Sequence, residues 1–152
     1  MFKGTIKESN ETQIKRLEFW TGLKEYANEN NIHIFTQKPP KDHWYNVAIG
    51  TSGVYLSLTV LIPNNKITCS LHIYDNKQLF DNFESYKGEI ENELGYQLIW
   101  NRKPENTKSS RISIEKENDF TNGNNNIAYQ WMTEKALEFK KVFVKYLNKI
   151  NI

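Results

Sequence analysis

VYLSLTVLIPNNKITCSLHIYD, residues 54–75, decides how this chain is read. Two runs alternate apolar and polar side chains on either side of Pro63-Asn64-Asn65. A period of two around turn formers is the pattern of two antiparallel β-strands joined by a tight turn. Asn accepts the positive φ of a primed two-residue turn, so Asn64 and Asn65 are expected at its centre. Ile62 then faces Ile67, Val60 faces Cys69, Leu58 faces Leu71 and Leu56 faces Ile73, all on one side. The other side pairs Leu61 with Thr68, Thr59 with Ser70, Ser57 with His72 and Tyr55 with Tyr74. A slip of one residue would exchange the faces, so the apolar side defines the core. The second face, with Tyr55, Ser57, Thr59, His72 and Tyr74, is the candidate binding surface.

Outward from this hairpin, a helix is expected to start near Asn10, where Asn10 and Gln13 have capping-box spacing. Ile14, Leu17, Trp20, Leu23 and Ala27 give its apolar stripe, broadened by Phe19 and Tyr26. The Asn-rich run at 28–31 suits its end, since Asn tolerates left-handed geometry. Pro39 and Pro40 impose an extended path. A first strand is expected at 44–49, followed by a tight turn at Gly50-Thr51-Ser52-Gly53. Beyond the central hairpin, Asp75 is the expected cap of a second helix carrying Leu79, Phe83, Tyr86, Ile90 and Leu94, stopped by Gly95. Two strands follow at 96–101 and 111–116. A last helix spans 127–148 with Met132, Ala136, Phe139, Phe143, Tyr146 and Ile150 on its stripe. Its lysines 140, 141, 145 and 149 suit the C-terminal end of the helix dipole. Residues 1–9 read as an arm, with an edge strand possible in pattern at 5–7.

The order α-β-β-β-α-β-β-α, with short links between successive strands, implies antiparallel pairing. The expected architecture is α+β, a roughly five-stranded, mainly antiparallel sheet with helices packed on one face. A chain of 152 residues fits one domain, 1–152, and no internal linker or repeat divides it. Aromatic residues make up 13 % against 38 % for all hydrophobic residues, so large rings supply much of the core. A single cysteine, Cys69, excludes an internal disulfide and reads as a small buried hydrophobe. No run has the length of a signal peptide or membrane span, and the expectation is a soluble cytoplasmic protein without membrane partners. A net charge of +2 is too small to imply nucleic acid by itself.

No catalytic or metal motif is complete, and no cofactor is implied. Rings, hydroxyls and an arginine on an open sheet can stack bases, and Arg111, Ser113 and Glu115 are expected to join the second face. The same face equally suits a partner protein, self-association or plain solvation. Arg102, Lys103, Lys108 and Arg111 cluster about one hairpin as a candidate phosphate-binding patch. Against these stand simpler readings. The acidic run GEIENE, with Glu89, Glu91 and Glu93, has the form of a solvated helix face. Ile114-Glu115-Lys116-Glu117 lacks the spacing of a nuclease metal site. His33, His43 and His72 are scattered, and a Ser57–His72 contact lacks an orienting acid. The ligand-binding candidates are therefore Tyr55, Ser57, His72, Tyr74, Arg111, Lys103 and Lys108, with no catalytic and no metal-binding residue.

The ordered series RLEFWTGLKEYA, HWYNVAIGTSGVYLSL, ITCSLHIYDNK and KGEIENELGYQLIWNRKPENTKSSRISI resembles a bacterial family, domain-of-unknown-function family 4268, across residues 14–150. Phe19-Trp20, Trp44, Gly50-x-x-Gly53, Ile90-Glu91, Trp100 and Arg111-Ile112 carry the resemblance. Family members often hold this module at the C-terminal end of longer proteins whose N-terminal halves resemble restriction or repair nucleases. The resemblance thus implies an accessory role in nucleic-acid processing or restriction-like defence, by association. No such half precedes these residues, so a standalone member, or one whose partner supplies the rest, is expected. It carries over no catalytic residue, and Trp20, Trp44 and Trp100 read first as core anchors. The functional expectation is a binding module rather than an enzyme, with protein–protein contact or oligomerisation as the alternative to nucleic acid and a metal-dependent nuclease last.

Overall fold

The alternating stretch forms the middle of the sheet. The protein is described by a computed structural model over residues 10–151. β1 (Trp44–Thr51), β2 (Val54–Leu61), β3 (Lys66–Tyr74), β4 (Ile99–Asn101) and β5 (Ser109–Glu117) form one five-stranded sheet in the order β1-β2-β3-β5-β4. Every pairing is antiparallel. α1 (Asn10–Glu29), α2 (Lys77–Glu84), α3 (Lys87–Leu94) and α4 (Asn126–Ile150) pack on the apolar face, giving the α+β architecture the sequence implies. The expected arm at 1–9 and its edge strand lie outside the described residues.

Strand alternation sends Leu56, Leu58 and Val60 of β2 and Ile67, Cys69, Leu71 and Ile73 of β3 into the core. The helices close over them with Trp20 and Leu23, Phe80 and Phe83, Ile90, and Phe139 and Phe143. Phe143 meets the edge of Phe83 at 5.3 Å and the Phe139 ring at 5.4 Å, arrangements that aromatic quadrupoles favour. Tyr129 ties α4 to α1, its hydroxyl donating to the Phe19 carbonyl at 2.9 Å. Gly22 leaves room for that hydroxyl, which a Cβ there would strike. α1 ends as its asparagines suggest: Asn31 is left-handed, φ 57°, and the Ile32 N–H returns to the Ala27 carbonyl at 2.8 Å. The Pro-rich segment packs on the core side of β1, where the Tyr45 hydroxyl and the Lys24 ammonium both donate to the Gln37 carbonyl.

The central hairpin departs from its expected register by two residues. Leu56 faces Leu71, Leu58 faces Cys69, Val60 faces Ile67 and Tyr55 faces His72. The turn is the cause. Ile62–Asn64 forms a short 3-10 turn with Pro63 near its start, and Asn65 alone of the two asparagines is left-handed, φ 50°. Proline has no N–H for a ladder, and its fixed φ suits a 3-10 turn, so a longer loop replaces the two-residue one. An even shift keeps every side chain on its face, and the core assignment is unaffected.

The expected second helix is two helices. Asn76, not Asp75, caps α2, its side chain accepting the Leu79 N–H at 3.0 Å. Asp75 is itself left-handed, φ 52°. After Glu84 the Tyr86 N–H turns back three residues to the Phe83 carbonyl at 2.9 Å, and α3 starts afresh. The apolar period continues through the break, which is why periodicity alone joins the two. In α1, Phe19, Trp20, Leu23 and Ala27 are buried, but Ile14 is exposed, so the stripe begins a turn later than expected.

Candidate functional site

The face of the sheet opposite the helices carries the polar half of each strand's alternation. Strand pairing arranges it in rows. The middle row is Asn46, Ser57, Ser70, Ser113 and Ile99. On one side lies the row Ala48, Tyr55, His72, Arg111 and Asn101; on the other lie Trp44, Thr59, Thr68 and Glu115. Among the described residues, no helix lies over these rows. Two shallow depressions of about 270 and 220 Å³ are lined, among the described residues, by strand residues and His43. Both depressions share His43, Thr59 and Arg111.

The middle of this face is dry although, among the described residues, no helix covers it. Ser57 and Ser70 are 3 % and 2 % exposed. Their short side chains sit in a trough walled by larger neighbours. Desolvated hydroxyls need partners, and the sheet provides them sideways: Ser70 donates to Ser113 at 3.1 Å, and the Thr59 and Thr68 hydroxyls bond to each other. Around the trough the apolar rim is open. Trp44, Tyr74 and Ile99 are 40 %, 56 % and 48 % exposed. Trp44 is therefore a rim residue of this face and not the core anchor expected from the resemblance, because its partner Thr59 points outward from β2. Trp20 is a core anchor, and Trp100 packs against the core edge.

The sequence candidates divide into those that converge and those that do not. Tyr55 and His72 stack, with ring centres 5.2 Å apart and planes 20° from parallel. Arg111 lies directly across from His72 on β5. Burial first, then the charges of Arg111 and Lys103, together lower the His72 imidazole from 6.5 to about 4. His72 is thus a neutral ring at pH 7. Ser57 faces Ser70 rather than His72, as the shifted register requires. Tyr74 stands at the end of β3, beside Ser109.

Lys108 does not join them. It pairs with Asp75 at 3.7 Å. The expected basic patch is largely neutralised in the same way. Arg102 binds both oxygens of Asp81, at 2.7 and 3.1 Å, and reaches Glu105 at 2.8 Å. Lys103 and Arg111 have no ion-pair partner among the described residues, and they are the cations left near the face. Two lysines of the last turns of α4 are also engaged: Lys145 pairs with Glu93 at 2.8 Å, and the Lys149 ammonium lies 4.9 Å from the Tyr146 ring centre.

Two buried polar atoms on the face lack a hydrogen-bond partner among the described residues, Asn46 Oδ1 and Arg111 Nε. Sequence reasoning missed Asn46, and missed His43 and Ile99 as lining residues. The outward parity of Asn46 was readable once β1 was aligned with β2, whereas the place of His43 depends on how the chain enters the strand. The acidic run has structural work. Burial opposes ionisation of Glu91, but hydrogen bonds from the Leu98 N–H at 2.8 Å and Trp100 Nε1 at 3.0 Å prevail and hold its carboxyl below the usual range. Glu93 accepts from Lys145 and the Tyr146 hydroxyl. Cys69 is buried, and burial pushes its thiol pKa up, away from reactivity. Among the described residues, no three His, Cys, Asp or Glu side chains gather where they could hold a metal ion, and no helix is long and apolar enough to cross a membrane.

No curated protein matches the chain. Among solved structures, the fold is similar to that of YbjN from E. coli, described as a candidate transcription regulator. The two share 9 % identity with a TM-score of 0.51, over 85 % of this chain and 91 % of YbjN. At that identity the likeness is one of fold. Residues 15–147 match the model of the family described as Domain of unknown function (DUF4268), and the chain belongs to that family.

Proposed function

We propose that this domain is a binding module rather than an enzyme, and that it works through the open sheet face by contact with protein, as an accessory to nucleic-acid-processing or defence assemblies. The observation that carries the reading is the dry hydroxyl trough rimmed by exposed Trp44, Tyr74 and Ile99. Exposed apolar groups gathered on one face mark interaction surfaces, and aromatic residues and arginine are enriched where proteins meet. Charge argues the same way. Arg111 and Lys66 on this face are offset by Glu115 and Glu117, and His72 adds none at pH 7. The nucleic-acid-processing or defence setting is supported by the family resemblance alone.

A second reading, single-stranded nucleic acid, is favoured by the Tyr55–His72 stack beside Arg111 and Lys103. Bases stack on such platforms, while phosphate contacts need cations and make binding salt-dependent. Two measurements separate the readings. Hydroxyl-radical footprinting of dilute protein in extract of its native cells is expected to protect Trp44 and Tyr74 relative to buffer, leaving Ile127 and Leu137, exposed on α4, unchanged. Equal reactivity of Trp44 and Tyr74 in both would overturn the binding-face reading. Anisotropy with labelled single- and double-stranded DNA and RNA at low salt is expected to show no binding at micromolar protein. Binding that weakens as salt rises would replace the protein reading by the nucleic-acid one.

A further inference from the structure

We infer that the occupant of the open face is a second copy of this chain, packed face to face about a two-fold axis that crosses the strands above the middle row. This rests on the binding-face reading and names the partner. Such an axis lays each strand antiparallel over its own copy and exchanges the two flanking rows. Isologous interfaces must be self-complementary under that exchange, and this face is. Trp44 lands on Ala48 of the other copy, Tyr55 on Thr59, and His72 on Thr68. Large side chains meet small ones. Arg111, which has no ion-pair partner among the described residues, lands on Glu115, whose carboxylate Lys66 of its own chain holds at 3.1 Å and which would then be shared between two cations. One row further out, Lys66, whose ammonium pairs with Glu115 of its own chain at 3.1 Å, lands beside the exposed Tyr74 ring, within reach of a cation–π contact.

The middle row meets itself. Ser57, Ser70 and Ser113 are small enough to let the two sheets approach, and the Ile99 side chains pack on each other beside them. By register the Asn46 residues of the two copies face one another, and the Arg111 guanidinium faces the Glu115 carboxylate of the other copy. An axis along the strands does not do this. It sets Arg111 over Tyr55 and Lys66 over Lys66, so that Arg111 meets no anion of the other copy and Glu115 keeps only Lys66 of its own chain. Stacked sheets pack with their strands nearly aligned, which either axis permits, so the charges choose between them.

The contact is modest. Four strands of eight or nine residues span roughly 20 Å by 28 Å, on the order of 600 Å² per copy. That lies below the roughly 800 Å² per partner of a standard interface, so association in the micromolar range is expected.

Sedimentation equilibrium of the full chain from about 1 to about 300 µM is the test. The wild type is expected to dimerise across this range. Arg111→Glu alone, or Glu115→Arg alone, sets like charges at both crossings and is expected to weaken association at least about tenfold. Mixing the two variants sets opposite charges at both crossings and is expected to restore dimers to within about threefold of wild type. A rearrangement inside one chain cannot be restored by mixing. Ile99→Asp changes an exposed side chain, spares the fold, and is expected to abolish pairing because it faces itself. A wild type monomeric at about 300 µM, or singly substituted proteins that pair as well as wild type, or a mixture that does not associate, would overturn the inference. If Trp44 and Tyr74 are nonetheless protected in cell extract, a different protein occupies the face and the binding-face reading stands. If both results fail, both readings fall.

Discussion

β2 and β3 show two dry surfaces made by different means. On the core face, Leu56, Leu58, Cys69 and Leu71 are fully buried because helices lie over them. On the opposite face, Ser57 and Ser70 are almost as dry with no helix over them among the described residues, because their own neighbours wall them in. The first surface removes apolar area from water and so stabilises the chain. The second removes hydroxyls from water, which costs free energy unless each finds a hydrogen bond. The Ser70–Ser113 and Thr59–Thr68 bonds limit that cost but add little net stability. Burial therefore has one meaning on the helix side and another on the open side: stability in the former, readiness for a partner in the latter.

The largest effect that can break this contrast is in the core. Phe143→Ala empties the space between Phe83 and Phe139 and is expected to cost about 3–5 kcal/mol in urea unfolding. Ser70→Ala removes one buried hydroxyl bond and is expected to cost about 1 kcal/mol. Equal costs for the two would mean that the open face contributes to folding as the core does, and the contrast would be lost.

The same contrast explains what was legible in the sequence. Strand parity is written in the alternation, so Leu56, Leu71 and Ile73 were placed in the core, and Tyr55, His72 and Arg111 on the open face, from residue order alone. Sheet class and helix placement followed. Register was not legible to the same degree. Shifts of two residues leave parity intact, so nothing in the pattern penalises the wrong pairing, and only the 3-10 turn at Pro63 decides it. The break between α2 and α3 was hidden for a similar reason, since Phe83, Tyr86 and Ile90 keep their period through it. The fate of the basic hairpin depended on contacts remote in sequence. Arg102 is engaged by Asp81 across 21 residues, a pairing that charge counting cannot see.

An intermediate effect sharpens the contrast through pH. The folded chain holds the His72 imidazole at about 4, against an ordinary 6.5, by burial first and by Arg111 and Lys103 after it. Below pH 6.5 the unfolded chain takes up a proton that the folded chain refuses until about pH 4. This contribution to stability is thus complete above 6.5 and declines as pH falls from 6.5 towards 4. Because the ring is only partly buried, the loss is expected to be on the order of 1–2 kcal/mol. His72→Gln should flatten the decline of the urea midpoint over that range, and Arg111→Gln should raise the imidazole pKa seen by NMR. A midpoint that falls equally in wild type and His72→Gln would assign the acid sensitivity to other groups.

The smallest effect on folding is the most telling about the open face. Tyr74 is 56 % exposed and stands at the end of β3, where its ring makes no aromatic contact among the described residues. If the ring belongs to an interface, its area is withheld from the folded monomer, and removing it should cost the monomer almost nothing. Tyr74→Ser is expected to change unfolding free energy by no more than about 0.5 kcal/mol. Self-association, measured on the same preparation, should fall severalfold, because the ring that receives Lys66 of the other copy is gone. A monomer destabilised by more than about 1 kcal/mol would show that the ring already packs within the chain, and the line drawn between a stabilising face and a recognising face would not pass through Tyr74.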